Sequence, residues 1–316
     1  MNNINRLLPG NTKSIPKHSD VDNTEWLALS RSKATRQAAV NSINLELDRK
    51  VREYVSSRDF RRVVLSTGLK EKVFDYVNRY STILSSKGLP SQELGMFLLA
   101  GDSPAVSDVY IPPQYVRPAY CEVEFGHDDA VRAEYGKDII SWAHSHGALG
   151  VFLSGEDKNT MRHIVPRETK GLATTIDFEW GCNRLSTTLR EYPTVVVNNN
   201  KGIFCGKAWS YERYVMRDGK MDLEVTYSDD SLLDNLPVVE VEGEQPKSYD
   251  AETIDAELLS RVSIPVESGV AKRYTVYRKL KNMPDGVSRK VVSDSSLTDR
   301  LRRDWYERIG GREISR

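Results

Sequence analysis

The chain has 316 residues, 39% of them hydrophobic, which is enough for one large domain or two modest ones with an ordinary core. Its 45 basic and 45 acidic residues give a formal net charge of zero, so charge provides no general basis for binding nucleic acid or an anionic membrane. The sequence predicts no membrane span and no secretory signal, and its three widely spaced cysteines predict reduced thiols. These features predict a cytoplasmic protein.

The first part of the chain changes in character near residue 24. Residues 1–23 are polar and contain Pro9 and Pro16, which predicts a disordered or loosely attached segment. Further on, apolar residues recur at three- and four-residue intervals, which predicts one stripe of a helix: Val40, Ile43, Leu47, Val51 and Val55. Such a stripe packs on a core or binds a partner, and packing is the favoured interpretation.

Short strands and one longer helix are predicted next. Residues 62–66 have the composition of a strand, and apolar residues between positions 69 and 80 share one helical face. After the segment Glu93-Leu-Gly-Met-Phe-Leu-Leu-Ala-Gly101, residues 109–111 and 120–125 are strand-like. His127 follows in a charged loop, where a solvated histidine is the favoured interpretation.

Residues 139–157 contain the pattern with the clearest chemistry. Residues 139–143 are apolar and aromatic enough for a buried strand, and alternate side chains of a strand share a face, so His144 and His146 should point the same way. Two imidazoles on one face can reach a single metal ion at roughly 2.0–2.1 Å. Asp157 supplies a carboxylate where a new helix is predicted to begin. Two histidines and one carboxylate leave a fourth position open for water, as in catalytic zinc sites.

Each part of this pattern also has a structural explanation. A His-x-His pair at a strand end can arise by chance or form a polar edge. Ser154 and Asp157 resemble a helix capping box, in which the serine caps the helix and the aspartate favours its positive end. His163 lies six residues beyond Asp157, which is not a ligand spacing, so it is interpreted as structural.

The combined pattern of His-x-His, seven residues, Ser, two residues and Asp resembles the motif of the JAMM metalloproteases, also called the JAB or MPN-plus family. The Glu-x-Gly sequence at Glu93 and the apolar strand with an Asn-rich turn in residues 193–206 are similar to further segments of that family. The resemblance covers about half of the chain. One position departs from it, because Gly147 stands where family members often have proline.

The resemblance implies an α/β fold. Its core would be the JAMM/MPN fold, which is cytidine-deaminase-like and has a curved mixed sheet flanked by helices. We assign residues 59–227 to this core, residues 1–58 to an N-terminal extension with a helix, and residues 228–316 to a C-terminal extension. Within the core, residues 165–192 are predicted to form a long, mixed connection that shapes the substrate cleft, where Trp180 is either a substrate contact or a buried anchor.

The C-terminal extension begins with an acidic stretch. Residues 229–268 contain eleven Asp and Glu but only Lys247 and Arg261 as basic residues, which predicts a linker. The tail is basic and repeats apolar residues at four-residue steps, which predicts an amphipathic helix at Leu297, Leu301, Trp305 and Ile309. That helix packs back on its own chain or docks on a partner protein.

The resemblance also implies a function and a role for each site residue. Zn²⁺ held by His144, His146 and Asp157 would lower the pKa of a bound water to about 7. Glu93 would act as the general base and proton shuttle, and the Ser154 hydroxyl would stabilise the oxyanion. The implied activity is a zinc metallopeptidase that hydrolyses an amide or isopeptide bond, with ubiquitin or a ubiquitin-like protein conjugate as its partner.

Two alternatives stay open on the sequence. One keeps the chemistry but uses ordinary peptides or small amide conjugates as substrates. The other is a non-catalytic MPN scaffold subunit, although such subunits typically lose one or more of the ligand residues. Two other metal classes are excluded, because the chain has neither the His-Glu-x-x-His motif of the zincins nor the cysteine pair of the nucleobase deaminases.

Overall fold

A computed structural model describes residues 33–147, 149–218, 220–267 and 275–283. Its elements up to the middle of the chain are helix α1 (Lys33–Val55), strand β1 (Val63–Ser66), α2 (Leu69–Ser86), β2 (Leu94–Ala100), β3 (Asp108–Tyr110), β4 (Gln114–Arg117), β5 (Tyr120–Val123), α3 (Asp128–Tyr135), β6 (Asp138–Ser145) and α4 (Gly155–His163). These confirm the strand predicted at residues 62–66, the helix that follows it and the strand that leads to His144.

The second half of the described chain is rich in strands. Its elements are α5 (Val165–Glu168), β7 (Leu172–Trp180), β8 (Asn183–Val197), β9 (Ile203–Arg217), β10 (Lys220–Leu233), β11 (Val238–Val241), α6 (Ala251–Arg261), β12 (Val262–Glu267), β13 (Thr275–Lys279) and a 3₁₀ turn at Leu280–Asn282. None of the helices in the described part of the chain is both long and apolar enough to cross a membrane.

The chain divides into two compact units. One comprises Met1–Ser56, Thr174–Leu189 and Tyr211–Thr226, and the other comprises Ser57–Ala173, Arg190–Ser210 and Tyr227–Arg316. The first unit contains α1 and segments of four long strands. The second contains every residue that the sequence predicts for the metal site and its chemistry.

In the first unit, the apolar stripe of α1 is buried, as its periodicity predicts, with Val40, Ile43 and Leu47 at most 1% exposed. The polar residue Asn44 lies within that stripe and is buried too. Its side-chain amide donates to the carbonyl of Tyr214 and accepts from the amide of the same residue, at 2.8 and 3.0 Å. A buried amide whose donor and acceptor are both paired avoids the cost of desolvating a polar group. The packing interpretation of this helix is therefore confirmed.

A mixed sheet of seven strands runs through the fold in the order β10-β9-β8-β6-β2-β3, with β7 paired to β8. Strand β6 is antiparallel to β2 on one side and parallel to β8 on the other. Together with the helices and a second mixed sheet of four strands, it makes the protein a mixed α/β fold, as predicted.

The core of the second unit lies on both faces of β2 and β6. All seven residues of β2 are buried, and its alternate side chains enter two different hydrophobic clusters. Helices α2 and α6 contribute to one cluster, and α3, α4 and α5 contribute to the other. Trp142 of β6 belongs to the second cluster, which includes Met161 of α4. His144 and His146 lie two and four residues after Trp142, so their side chains point to the same face of the sheet as α4.

The acidic stretch 229–268 differs from the linker that its composition predicts. It contains α6 and β12, and four of its apolar residues are at most 1% exposed: Ile254, Leu258, Val262 and Ile264. Strand β12 joins the four-stranded sheet, whose order is β13-β12-β4-β5. The segment therefore completes the core of the second unit. The predicted tail helix with Leu297 and Trp305, and the polar residues 1–23, lie outside the described residues.

The prediction of a long, mixed connection at residues 165–192 is also wrong, because these residues form regular secondary structure. The segment forms the short helix α5, strand β7 and the first part of β8, and the turn between the strands carries Gly181 at φ +60°. The alternation of β7 and the Glu179-Trp-Gly-Cys turn are typical of a hairpin. In place of a long, mixed connection, the chain has two paired strands here.

Candidate metal centre

His144 and His146 lie where β6 ends, and their side chains meet. Their Nε2 atoms are 3.0 Å apart, and the two residues are 0% and 4% exposed. The alternation of side chains along a strand puts both imidazoles on one face, so the sequence prediction of a convergent pair is confirmed. Strand β6 is hydrogen-bonded to a neighbouring strand on each side at this point, where His144 pairs with Gly95 of β2 and with Val196 of β8.

Asp157 reaches the same point from the start of α4. Its carboxylate oxygens lie 3.4 Å from Nε2 of His144 and 3.9 Å from Nε2 of His146. Ser154 is the N-cap of this helix and forms a capping box with Asp157: the Asp157 amide donates to the serine Oγ at 3.1 Å, and the Ser154 amide donates to the aspartate Oδ2 at 2.7 Å. The capping interpretation of this pair is therefore confirmed, and the cap fixes the carboxylate that faces the histidines.

The donor set fits a zinc ion in distance and chemistry. The three ligand atoms of His144, His146 and Asp157 lie within 4.8 Å of one another. Ligands at 2.0–2.1 Å in a tetrahedral site are about 3.3 Å apart, and the three observed separations lie on both sides of that value. Within the described chain, no other group of three such side chains converges in this way.

The hydrogen bond on the other side of His146 sets its tautomer. Its Nδ1 lies 2.7 Å from the carbonyl oxygen of Gly150, which can only accept a hydrogen bond. We therefore assign the ring proton to Nδ1, which leaves a lone pair on Nε2 that faces His144 and Asp157. Metal-binding histidines commonly donate their second ring N–H to a carbonyl or carboxylate in this way.

His144 is held by stacking. Its ring lies on Trp142 with centroids 4.7 Å apart and planes 16° from parallel, while the indole Nε1 donates to Sδ of Met161 in α4 at 3.0 Å. The Nδ1 atom of His144 is buried and has no hydrogen-bond partner among the described residues. The tryptophan therefore orients this imidazole and also ties the strand to the helix that supplies Asp157.

The charges of the Asp157 carboxylate and the two imidazoles stabilise one another. Burial disfavours charge on His146, but the Asp157 carboxylate and the Gly150 carbonyl outweigh burial and raise the pKa of His146. Burial alone would raise the pKa of Asp157, yet its interactions with His144 and His146 hold that pKa far below the usual range. The aspartate is therefore ionised at neutral pH, as a ligand to a metal ion must be.

Glu93 lies directly before β2, next to the cluster. The antiparallel register pairs Leu94 with Ser145 and Gly95 with His144. Continued by one residue, this register places Glu93 opposite His146 and on the face that carries the two imidazoles. A strand follows Glu93, so this glutamate does not lie in the first turn of a helix.

The Glu93 carboxyl is 9% exposed. Burial raises its pKa to about 8, which His146 opposes and the negative charges of Asp157 and Glu156 reinforce. A carboxyl with a raised pKa beside a candidate metal site is suited to accepting and returning a proton near neutral pH.

The glycine of the Glu-x-Gly sequence is required by close packing. A Cβ on Gly95 would lie 2.4 Å from Cγ1 of Val123 and 3.3 Å from the sulfur of Cys121. The side-chain amide of Gln114 makes two hydrogen bonds to the backbone of Gly95, at 2.8 and 2.9 Å. The glycine thus lets β4 and β5 close over the start of β2 and holds the neighbouring Glu93 in place.

Gly147, at the position where JAMM proteases often have proline, has a left-handed backbone with φ of +56°. Proline is fixed near −65°, so it cannot occupy this conformation. A Cβ at this position would also lie 2.1 Å from Oγ of Ser91. The loop after the second histidine therefore follows a path that requires glycine.

Ser154 keeps a free donor despite its role as a helix cap. Its Oγ accepts from the Asp157 amide, and a hydroxyl that accepts one hydrogen bond can still donate its own proton. The residue is half-buried beside the ligand cluster. Its position is compatible with donation to an oxyanion in the site.

Three other residues considered from the sequence lie elsewhere. His127 precedes α3, with its ring 6.1 Å from that of Tyr110. His163 is exposed at the end of α4, in line with its structural interpretation. Trp180 ends β7 in the first unit and donates to Oγ of Ser42 at 3.1 Å.

The sequence did not predict the groups that hold the ligands in place. Trp142 was visible only as part of an apolar strand, and the backbone carbonyl of Gly150 has no sequence pattern at all. The Asn-rich turn was noted as a resemblance, but its contacts to the loop that follows His146 were not predicted.

Comparison of the chain with known protein families and with curated proteins found no match. Among solved structures, it is similar to the solution structure of protein DSY2949 from Desulfitobacterium hafniense, at 12% sequence identity and a TM-score of 0.27. The similarity covers 58% of this chain and 94% of that one.

Proposed function

We propose that this protein is a zinc-dependent peptidase of the JAMM type that hydrolyses an amide or isopeptide bond. The observation that carries this proposal is the convergence of His144, His146 and Asp157 on one point, with the buried carboxyl of Glu93 on the same face of the sheet. Two neutral imidazoles and one carboxylate form a zinc donor set that leaves a coordination position for substrate chemistry.

The substrate class is proposed from the resemblance in sequence. The spacing from His144 to Asp157, the Glu-x-Gly sequence and the strand before the Asn-rich turn are similar to the JAMM family, whose implied substrates are conjugates of ubiquitin or ubiquitin-like proteins. We propose that the part of the sheet formed by β2, β6 and β8, together with α4, corresponds to the core of that fold.

A zinc ion held by His144, His146 and Asp157 would act as a Lewis acid and lower the pKa of a bound water to about 7. The Glu93 carboxylate then accepts the proton of the attacking water and delivers it to the departing amine. Glu93 is suited to both steps because its pKa is raised towards neutrality by burial.

Ser154 is proposed to donate its hydroxyl proton to the oxyanion that develops on the substrate carbonyl. The α4 cap holds its oxygen through the Asp157 amide, so the hydroxyl is oriented before substrate arrives. Removing one such donor typically costs roughly 2.7–4 kcal/mol of transition-state stabilisation.

The test begins with metal content. The purified protein should carry one zinc ion per chain, and the double variant His144→Ala, His146→Ala should carry none. His163→Ala is the matched control, because it removes an exposed histidine from the end of α4 and should leave the zinc content unchanged.

Activity is tested with ubiquitin-like conjugates and with unrelated peptides, each with and without a chelator. Cleavage that the chelator abolishes and zinc restores supports the proposal, and the preferred substrate identifies the class. A folded chain with one zinc ion and no hydrolysis of either substrate would contradict the enzymatic role and favour a scaffold. Equal zinc content in the double variant and the parent would contradict the site itself.

A further inference from the structure

We propose that Asn198 is a positioning residue that fixes the orientation of His146 through the loop containing Gly150. The inference rests on the proposed metal site, since it concerns how one of its ligands is aimed. Asn198 lies more than fifty residues from the ligand in sequence and directly follows β8.

The first step is the dependence of His146 on a backbone carbonyl. The Nδ1–H of the ring donates to Gly150 over 2.7 Å, and this bond aims Nε2 at His144 and Asp157. Gly150 is exposed and lies outside any helix or strand. Water can therefore compete for its carbonyl, so the loop has to be held by other contacts if the imidazole is to keep one orientation.

The second step is the set of bonds that hold this loop. The amide of Leu149 donates to the carbonyl of His146 at 2.9 Å, and the amide of Asn199 donates to the carbonyl of Gly147 at 2.9 Å. The carbonyl of Leu149 accepts from Nδ2 of Asn198 at 2.8 Å. Because that carbonyl belongs to the peptide unit that joins Leu149 to Gly150, the Asn198 amide fixes the chain immediately before the acceptor of His146.

The third step is that Asn198 is itself fixed. Its Oδ1 accepts from the amides of Asn200 and Gly202, at 3.1 and 2.8 Å, and its side chain is buried. Since the oxygen faces two N–H donors, the amide can take only one orientation, with its NH₂ towards Leu149. Asn198 thus links a closed turn after β8 to the loop after His146.

Asn198 accepts hydrogen bonds within the turn after β8 and donates one to the loop after His146. Aspartate at this position tests the two contacts separately. Asn198→Asp keeps an oxygen for the turn but replaces the donor with a second oxygen that faces the Leu149 carbonyl. We expect the loop to move away, His146 to lose its preference for the Nδ1–H tautomer, and zinc affinity to fall by about 10–100-fold, the range typical for loss of an outer-sphere partner.

The control variant is Asn200→Asp, which adds the same charge two residues away. The side chain of Asn200 is exposed, and its contact to Asn198 is made by its backbone. This variant should keep the parent tautomer and zinc affinity. The same change in both variants would show that the added negative charge, and not the loss of the Asn198–Leu149 hydrogen bond, causes it.

The experiment records the tautomer of His146 by nitrogen NMR in metal-free protein and zinc affinity by competition with a chelator. A shifted tautomer in Asn198→Asp, with parent-like Asn200→Asp, supports the proposal. Lower thermal stability with an unchanged tautomer would overturn it and leave Asn198 a purely structural residue. If Asn198→Asp does not fold, Asn198→Ser, which keeps an acceptor but is too short to reach Leu149, is measured in the same way. A parent that binds no zinc would refute the proposed function, while the tautomer would still decide the role of Asn198.

Discussion

At the scale of single residues, Glu93 is the group on which the proposed chemistry depends most. It is far from the histidines in sequence, and the β2–β6 register brings it to the same face of the sheet. Its neighbour Gly95 has no room for a side chain, so the backbone at this point is closely fixed. The Glu-x-Gly sequence predicted the residue by resemblance. The pairing of β2 with β6 explains how a residue so distant along the chain comes to lie beside the histidines.

We predict that Glu93→Gln retains folding and zinc but loses activity by roughly 10²–10⁴-fold, because the amide cannot shuttle a proton. Zinc content, circular dichroism and turnover of the cleaved conjugate are measured together. Glu124→Gln is the control, since it neutralises an exposed glutamate on the segment after β5 and should leave turnover unchanged. Near-normal turnover in the fully zinc-loaded Glu93→Gln protein would show that another group is the base.

The raised pKa of Glu93 predicts how the metal-free protein responds to pH. Its folded-state pKa of about 8 lies above the ordinary value of 4.5, so the folded state binds the proton more tightly than the unfolded state does. By linkage, the free energy of unfolding should therefore fall as pH rises from about 4.5 to 8. A tenfold difference in proton affinity between the two states corresponds to about 1.36 kcal/mol, so the fall over this range is on the order of a few kcal/mol.

Glu93→Gln mimics the protonated form and should remove this dependence. Urea denaturation of metal-free protein is expected to give similar stabilities for parent and variant at about pH 5, and a more stable variant at about pH 8. Parallel curves over that range would mean that Glu93 is ionised in the folded metal-free protein.

At the scale of elements, the sequence predicted the strands and the helix that carry the site residues, but it did not predict the contacts that hold those residues in place. Strand β6, the start of α4 and the strand before the Asn-rich turn all have local signals: an apolar run, a capping box and a run of valines. The stack of Trp142 on His144 and the bond from Asn198 to Leu149 depend on how the elements assemble. Such contacts require the finished sheet, so no periodicity or spacing within one segment predicts them.

The loop from Gly147 to Leu153 gives a prediction at this scale. Gly147→Pro would place here the residue that JAMM proteases often have, but proline cannot adopt a φ of +56°. We expect the loop to rearrange, the Gly150 carbonyl to leave His146, and zinc affinity to fall. Gly147→Ala is the graded comparison: it also places a Cβ 2.1 Å from Oγ of Ser91, but without the fixed φ of proline, so we expect a smaller loss of zinc affinity. Parent-like zinc affinity in Gly147→Pro would show that the loop does not hold the ligand.

At the scale of the whole molecule, composition misassigned the acidic segment because the partners of its charges are distant in sequence. Asp255 is paired with Arg79 of α2, and Glu257 accepts a hydrogen bond from the hydroxyl of Tyr76 at 2.5 Å. Arg79 and Tyr76 lie more than 170 residues earlier in the chain, so the composition of residues 229–268 gives no sign of them. Acidic residues that are paired on one side of a helix leave its apolar side free to pack, and α6 uses that side to complete the core.

The sequence places the end of the core at residue 227, and the burial of α6 and β12 predicts that a chain shortened to that boundary is unstable. A chain of residues 59–227 lacks α6 and β12, whose side chains at positions 254, 258, 262 and 264 are almost fully buried. Burial of each such side chain contributes about 1.5–3 kcal/mol, and total stabilities are about 5–15 kcal/mol. We expect this shortened chain to lack a cooperative urea transition and to bind no zinc.

A chain ending at Met283 keeps every described element and should unfold cooperatively with one zinc ion bound. Cooperative unfolding and zinc binding by residues 59–227 alone would show that the C-terminal segment is an extension rather than part of the core.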